Sequence, residues 1–420
     1  MNLTRVLTVL IVVLVAVDAG FNVRCRQIKA EETAYMKSVF KNDTAASKLA
    51  SAGDVDLQPA STLMTVKRNL ESYYVEKITD TDEDKMTHEA IKYMTASFND
   101  PYTRYLDKEE YAAVENASNG IFDGIGAVLT LDQKKIGKDE TEESLVIMSV
   151  LPGSPAAKAG LKPGDAVTEI DGRSVLPFNP FRYANKLVND ARNHRGDRKE
   201  IIKKLEAEQK RVEKGKTMFE SQKILNKKSE KPLTLTVKTG DKTRKVKIET
   251  AHMKLSPVTV NGSVIKVNYL GEKTGDAFDK AMESVKGSSL TLDLTDIGGG
   301  DIDAAKQIAS HFIPNKILTV ISLANSKEET VKVPTGKAYN GKVTVKVNGG
   351  TAGTAEILAN SLRQNAKVTV EGTKTYGDPT MTMLFENYDK TGYILKAGEM
   401  KMPTKVNIAG KGATIDREVK

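Results

Sequence analysis

Four textures of apolar and polar positions follow one another along the chain. Residues 6–17 (VLTVLIVVLVAV) are almost wholly apolar. From about 61 to 116 apolar residues recur at helical spacing: Leu63, Val66, Leu70, Tyr73 and Tyr74, then Ala90, Ile91, Tyr93 and Met94. This predicts helices whose tyrosine and methionine side chains pack in a core. The break at Asn99-Asp100-Pro101-Tyr102 reads as a turn, because proline drives the residue before it out of the helical region. Between 120 and 257 the texture is short β-rich runs punctuated by glycine, at 125–131, 145–150, 166–170, 233–237 and 245–249, which predicts a small β-domain. Beyond 263, strands are predicted at 264–269, 289–294, 318–322, 343–347 and 368–371, with helices at 274–285, 302–312 and 352–364. Such alternation predicts a sheet carrying helices on its faces.

The β-domain is interrupted by a charged stretch, 189–231. Ile201, Ile202, Leu205, Val212 and Phe219 stand there at near-heptad spacing among i,i+4 charge pairs, predicting an inserted helix or helical hairpin. From 190 to 231 it carries fourteen basic against eight acidic residues, most of the chain's formal charge of +8. It is expected either to be a solvated face packed on its own domain or to meet an anionic membrane surface or a partner. The small, polar residues 31–60 suit a tether. Before them, Arg5 leads into the apolar run, and Val17-Asp18-Ala19 offers small residues for a signal peptidase. Export across the cytoplasmic membrane is therefore expected, to a periplasmic or extracellular location. Residues 1–30 serve as signal peptide, or residues 6–23 as an uncleaved anchor.

Composition removes several functions. The 420 residues suffice for two or three domains with cores of their own. The single cysteine, Cys25, excludes an intramolecular disulfide framework and any multi-cysteine zinc site. His88, His194, His252 and His311 lie far apart without metal-ligand spacing, and Gly298-Gly299-Gly300 lacks the lysine of a phosphate loop, so neither metal nor cofactor is expected. No nucleic-acid motif accompanies the modest positive charge.

Two motif sets carry a resemblance. The segment SVLPGSPAAKAGLKPGDAVTEIDG, with Phe122-Asp123-Gly124-Ile125-Gly126 ahead of it, resembles the PDZ domains of bacterial proteases and their carboxylate-binding loop. Glycines there let successive backbone N–H groups face one concavity, which captures a peptide's terminal carboxylate while its chain adds to a sheet edge. Further on, Asn348-Gly349-Gly350-Thr351-Ala352-Gly353-Thr354-Ala355-Glu356-Ile357 and Thr375-Tyr376-Gly377-Asp378 are similar, without a gap, to the motifs of the carboxyl-terminal processing (tail-specific) serine peptidases. Leu292-Asp293-Leu294-Thr295-Asp296-Ile297-Gly298-Gly299-Gly300 resembles that family's oxyanion turn, and residues 96–107 resemble the segment ahead of its PDZ domain.

The resemblance implies an α/β multi-domain fold: a helical segment at 61–119, a PDZ-like β-domain at 120–257 with the insert 189–231, and a peptidase core at 258–420. It also implies protein C-terminal tails as partners, held by residues 122–126. Gly299, Gly300 and Thr354 take the oxyanion-hole positions. The nucleophile, base and glutamine positions hold Gly353, Asp378 and Thr382, so no catalytic pair is expected. A Ser–Lys pair needs a lysine amine kept neutral by burial, and losing the nucleophile of such an enzyme costs about six orders of magnitude in turnover. The chain is thus expected to be an inactive pseudopeptidase. The alternatives are a shifted register, with Thr351 or Thr354 as nucleophile and Lys374 as base, or water activated by Asp378 with Asp296, Asp301 or Asp303.

Overall fold

The computed structural model describes residues 58–98, 100–135, 141–177, 182–192 and 197–419. The apolar run, Cys25, nearly all of the tether and His194 lie outside the described residues. The chain divides into two compact units at Ala90. In the first are α1 (Gln58–Tyr73) and the start of α2 (Asp80–Ala96), with Lys67 paired to both Glu71 and Glu83. The expected burial of the apolar stripe does not occur: Leu63, Val66, Leu70 and Tyr74 are exposed, and Tyr73 is 78% exposed. Tyr93 and Met94, at the start of the second unit, are exposed too. Helical spacing fixes which side chains share a face; it does not supply a cover for that face.

The second unit continues through β1 (Arg104–Leu106) to α3 (Lys108–Ser118), opened by a capping box in which Asp107 and Glu110 each accept the other's backbone N–H. β2 (Ile121–Gly124) leads into the PDZ-like domain, made of β3 (Ala127–Lys135), β4 (Thr141–Val150), the single turn α4 (Pro155–Lys158), β5 (Ala166–Ile170) and β6 (Arg173–Leu176). Next come the helices α5 (Arg182–Arg192) and α6 (Arg198–Lys214), then β7 (Lys216–Thr217), α7 (Met218–Leu225), β8 (Leu233–Thr239) and β9 (Lys242–Ile248). The sheet runs β3-β4-β5-β6-β7, with β8 joining β5 and β9 joining β8. β3 is terminal, so one of its edges takes no strand among the described residues.

The charged stretch 189–231 is not one inserted element. It contains the end of α5, all of α6, and then α7, which belongs to the PDZ core: Met218 and Leu225 are buried beside Ile125, Leu129 and Leu235. A capping box between Thr217 and Glu220 starts α7 afresh after Gly215.

β10 (Ala251–Lys254) returns to pair antiparallel with β2. β11 (Val258–Asn261), β12 (Val264–Val267), α8 (Thr274–Ser284), β13 (Ser289–Asp293), α9 (Ile302–Ser310), β14 (Ile317–Leu323), β15 (Glu328–Lys332), β16 (Lys342–Val347), α10 (Thr354–Asn365), β17 (Val368–Gly372), β18 (Thr380–Glu386), β19 (Gly392–Lys401) and β20 (Arg417–Glu418) complete the core. Its main sheet runs β11-β12-β13-β16-β17-β20 and is parallel from β12 onward. Leu290 and Leu292 of β13 and Val343, Val345 and Val347 of β16, at every second position of their strands, are buried, while Lys342 and Lys346 of β16 are exposed. Strands and helices of this region fall where the alternation predicts them. The strand predicted at 318–322, β14, lies instead in a second, antiparallel sheet, β1-β19-β14-β15 with β18 on β19, whose other strands the sequence does not predict.

Candidate active site and peptide groove

Three turns converge at the C-terminal ends of the parallel strands. The turn after β13 reaches Gly298, which bridges in parallel to Ala352 while Ala352 N donates to Ile297 O (2.8 Å). The turn after β16 ends at Gly353, the residue just before α10, with φ 54° and ψ −122°. A sharp, positive-φ corner between strand and helix is the backbone form that presents a nucleophile in many hydrolases. Here it presents none, although the space exists: a β-carbon on Gly353 would lie 3.4 Å from Gly299 Cα and 3.7 Å from Asp378 O. The third turn, 373–379, follows β17 and carries Asp378.

Glu356 ties these turns together. Its fully buried carboxylate accepts from Gly353 N (3.0 Å) and Asp378 N (3.0 Å) on one oxygen, and from Gly377 N (2.7 Å) and Thr375 Oγ1 (2.5 Å) on the other. Burial pushes this carboxyl up from its ordinary value, against the pull of those four donors. Gly353 and Asp378, the expected nucleophile and base positions, are thus held to one side chain for which the sequence suggested no role.

The base position is also occupied in an unforeseen way. Asp378 Oδ2 accepts from the Tyr102 hydroxyl (2.9 Å) and Oδ1 from Thr380 N (3.0 Å). Burial first, and then the Asp378 charge, pushes the Tyr102 phenol well above its usual range, so it stays a donor. Thr382, at the glutamine position, is exposed beside a bulge in β18.

Of the oxyanion-hole positions, Gly299 faces Gly353, Thr354 opens α10, and the Thr354 hydroxyl donates to Gly300 O (2.7 Å). The Thr351 hydroxyl donates to Leu294 O (2.8 Å) in a fully buried site. Both threonine hydroxyls are therefore spent on main-chain carbonyls, and Lys374 is exposed. Nor do the other carboxylates turn toward Asp378 for hydrogen bonds: Asp296 accepts from Asn348 Nδ2, Asp301 caps α9, and Asp303 pairs with Lys306.

The PDZ-like domain lies on two of these turns. A β-carbon on Gly298 would meet Ser149 Oγ at 2.9 Å and Val128 Cγ1 at 3.1 Å, and one on Gly350 would meet Pro163 Cγ at 3.0 Å. The Tyr376 phenol, beside Thr130 and Asp132 of β3, is raised mainly by burial.

The residues expected to form the carboxylate loop are in part engaged by neighbouring elements. Phe122, Asp123 and Gly124 pair with β10, and Asp123 Oδ1 bonds His252 Nδ1 (2.9 Å). Ile125 N, a donor expected to face a peptide carboxylate, instead donates to Leu225 O of α7 (2.9 Å). Gln222 of α7 donates through Nε2 to Leu129 O on β3 (3.1 Å). The Gly126 carbonyl accepts from Leu151 N (3.0 Å). Outside the groove, α7 is tied by the Lys223–Asp107 and Lys227–Glu109 ion pairs and by Arg104 above the Phe219 ring (5.4 Å).

A parallel core with this strand–corner–helix is joined here to a small β-domain with a loop-and-helix groove. Residues 262–419 match the family model of peptidase family S41, and residues 146–185 match that of the PDZ domain. A probable CtpA-like serine protease of Staphylococcus aureus (strain COL) is 28% identical over 382 residues, which cover 88% of this chain and 66% of that protein. Another, of Staphylococcus haemolyticus (strain JCSC1435), is 28% identical over 350 residues, covering 80% of this chain and 60% of that protein. The chain thus spans about two thirds of the length of these relatives. Among solved structures, a photosystem II D1 C-terminal processing protease superposes with a TM-score of 0.60 at 19% identity, covering 85% of this chain and 86% of that one. The chain therefore combines a PDZ domain with an S41 peptidase-type core, the fold of the C-terminal processing proteases.

Proposed function

We propose that this protein binds protein C-terminal tails through its PDZ domain and does not hydrolyse them by a serine–lysine pair. The observation that carries this proposal is the contrast at one corner: the backbone at Gly353 has the form that serves a nucleophile, yet it bears no side chain, and the base position is a carboxylate bonded to Tyr102. An acyl-enzyme route has no atom to attack with and no amine to take a proton. The threonine route is disfavoured because both hydroxyls are committed, and the water-activation route because Asp378 has Tyr102, rather than a second carboxylate, as its partner. Export follows from residues 1–30 and belongs to the same proposal.

Tail binding by strand addition uses the open edge of β3, with the 122–126 loop at the carboxylate end. For this, Gln222 must leave Leu129 O and Leu225 O must release Ile125 N. A panel of peptides with free and amidated C-termini tests the proposal. Binding that requires the free carboxylate is expected, and no binding above background by any of them contradicts it. In the same assay Gln222→Ala is expected to tighten binding about fivefold, the equivalent of one neutral hydrogen bond of about 1 kcal/mol that no longer competes. A weaker binder would show that Gln222 belongs to the tail site rather than to its closure.

A further inference from the structure

The α5–α6 pair carries a surface that neither the peptidase core nor the tail groove uses. Ile202, Leu205, Gln209 and Val212 follow one another along α6 at spacings of three, four and three residues, a seam of the kind that receives a second helix. Ala184 of α5 joins them in lining an open groove of about 540 Å³. Ile202 is 47% exposed, whereas Leu205 and Val212 are half-buried, so the seam is partly open to solvent. Leu187 of α5 and Ile201 of α6 are buried between the two helices; Ile201 stands four and eleven residues from Leu205 and Val212 and so borders the seam, whose inner edge these half-buried residues form.

The charges of α6 are sorted about this groove. The helix carries seven basic and four acidic residues, yet three of its acids, Glu206, Glu208 and Glu213, line the groove and none of its bases does. Glu208 is 7% exposed and held by both Arg211 Nε (2.9 Å) and Arg211 Nη2 (2.7 Å), so its charge is answered within the helix. Glu206 and Glu213 stand exposed on one edge, a heptad apart and so separated by about 10 Å along the axis. Among the described residues Glu213 accepts a hydrogen bond from the neutral Gln209 side chain and forms no ion pair. Lys203 and Lys210, which belong to the basic surplus of this stretch, sit outside the groove lining.

We propose that the α5–α6 groove docks an amphipathic helix of a partner protein, apolar on one face and flanked by lysine or arginine at heptad spacing. Apolar residues at i, i+3 and i+7 of the partner fill the seam, while its basic flank meets Glu206 and Glu213. A second α6 does not fit, because it would bring acidic edges together.

Two labelled three-heptad peptides test this on the full-length protein. Both carry Ile and Leu on the seam; one has Lys at the flanking positions, the other Glu. The Lys peptide is expected to bind about tenfold or more tightly at about 50 mM salt, with the preference shrinking at high salt. Glu206→Lys/Glu213→Lys, both at exposed positions, is expected to reverse the preference, and Leu205→Ser/Val212→Ser to remove binding of either peptide. Equal binding of the two peptides, binding of neither, or a Lys-peptide affinity unmoved by the charge reversal overturns the proposal. So does sedimentation of the protein with phosphatidylserine vesicles that Lys203→Glu/Lys210→Glu abolishes, if no peptide preference is seen. That result would assign the insert to an anionic membrane surface.

Discussion

Replacing Glu356 with Ala is expected to destabilise the core by about 3–5 kcal/mol, because three backbone N–H groups and the Thr375 hydroxyl lose their common acceptor in a site without solvent. The sum falls short of four separate penalties for two reasons. Water enters the space left by the carboxylate, and the cost of burying a charged Glu disappears with it. Glu356→Gln keeps the volume but turns an amide N–H₂ toward donors that one carboxylate oxygen accepted, so it recovers only part of the loss. A urea titration of both variants, read as a shift in midpoint, measures this. An unchanged midpoint would mean that the turns after β16 and β17 hold their places without the clamp. The raised carboxyl has a sign of its own. The folded protein keeps the Glu356 proton to a higher pH than the unfolded chain does, so this contribution is complete below the unfolded value and is lost as pH rises through the folded one.

Gly124→Ala is expected to cost about 3 kcal/mol and to disturb the tail groove with it. Gly124 has φ 94°, and an added β-carbon would lie 2.0 Å from Leu225 O and 2.7 Å from Asn226 Cα, backbone atoms that cannot rotate aside. The C-terminal end of α7 would have to leave the loop. Gly153→Ala separates strain from crowding. Its φ is 67°, also left-handed, but nothing lies within 4 Å of the added carbon, so only backbone strain of about 1–2 kcal/mol is expected. Equal losses from the two variants, by the same urea titration, would show that the loop and α7 are not packed as tightly as the structure has them.

The parts legible in the sequence are those whose signal is local. Strands 289–293 and 342–347 alternate apolar with polar residues and bury the apolar ones, and the glycine corners at 298–300 and 353 are visible from their motifs and spacing. The second sheet was not legible, because β1 is three residues long and joins β19 nearly three hundred residues away, while much of β18 is exposed and lacks a clean alternation. The Tyr102–Asp378 bond spans 276 positions and leaves no local trace, although Tyr102 sits in a segment the family resemblance already covered. Glu356 was quoted within the motif, but its role needs the positions of three turns. α7 was hidden by the lysines around it. Its capping box at Thr217 and Glu220, followed by Ile224 and Leu225, was the available signal.

The central claim is that the peptidase frame persists here without its reacting groups. It is tested most directly by casein and tailed-peptide hydrolysis with the purified full-length protein, beside Gly353→Ser/Asp378→Lys. No turnover by the native protein is predicted, with activity gained in the double variant, where serine and lysine return to a corner and a turn already clamped by Glu356. Hydrolysis by the native protein that persists through purification to homogeneity would contradict the account.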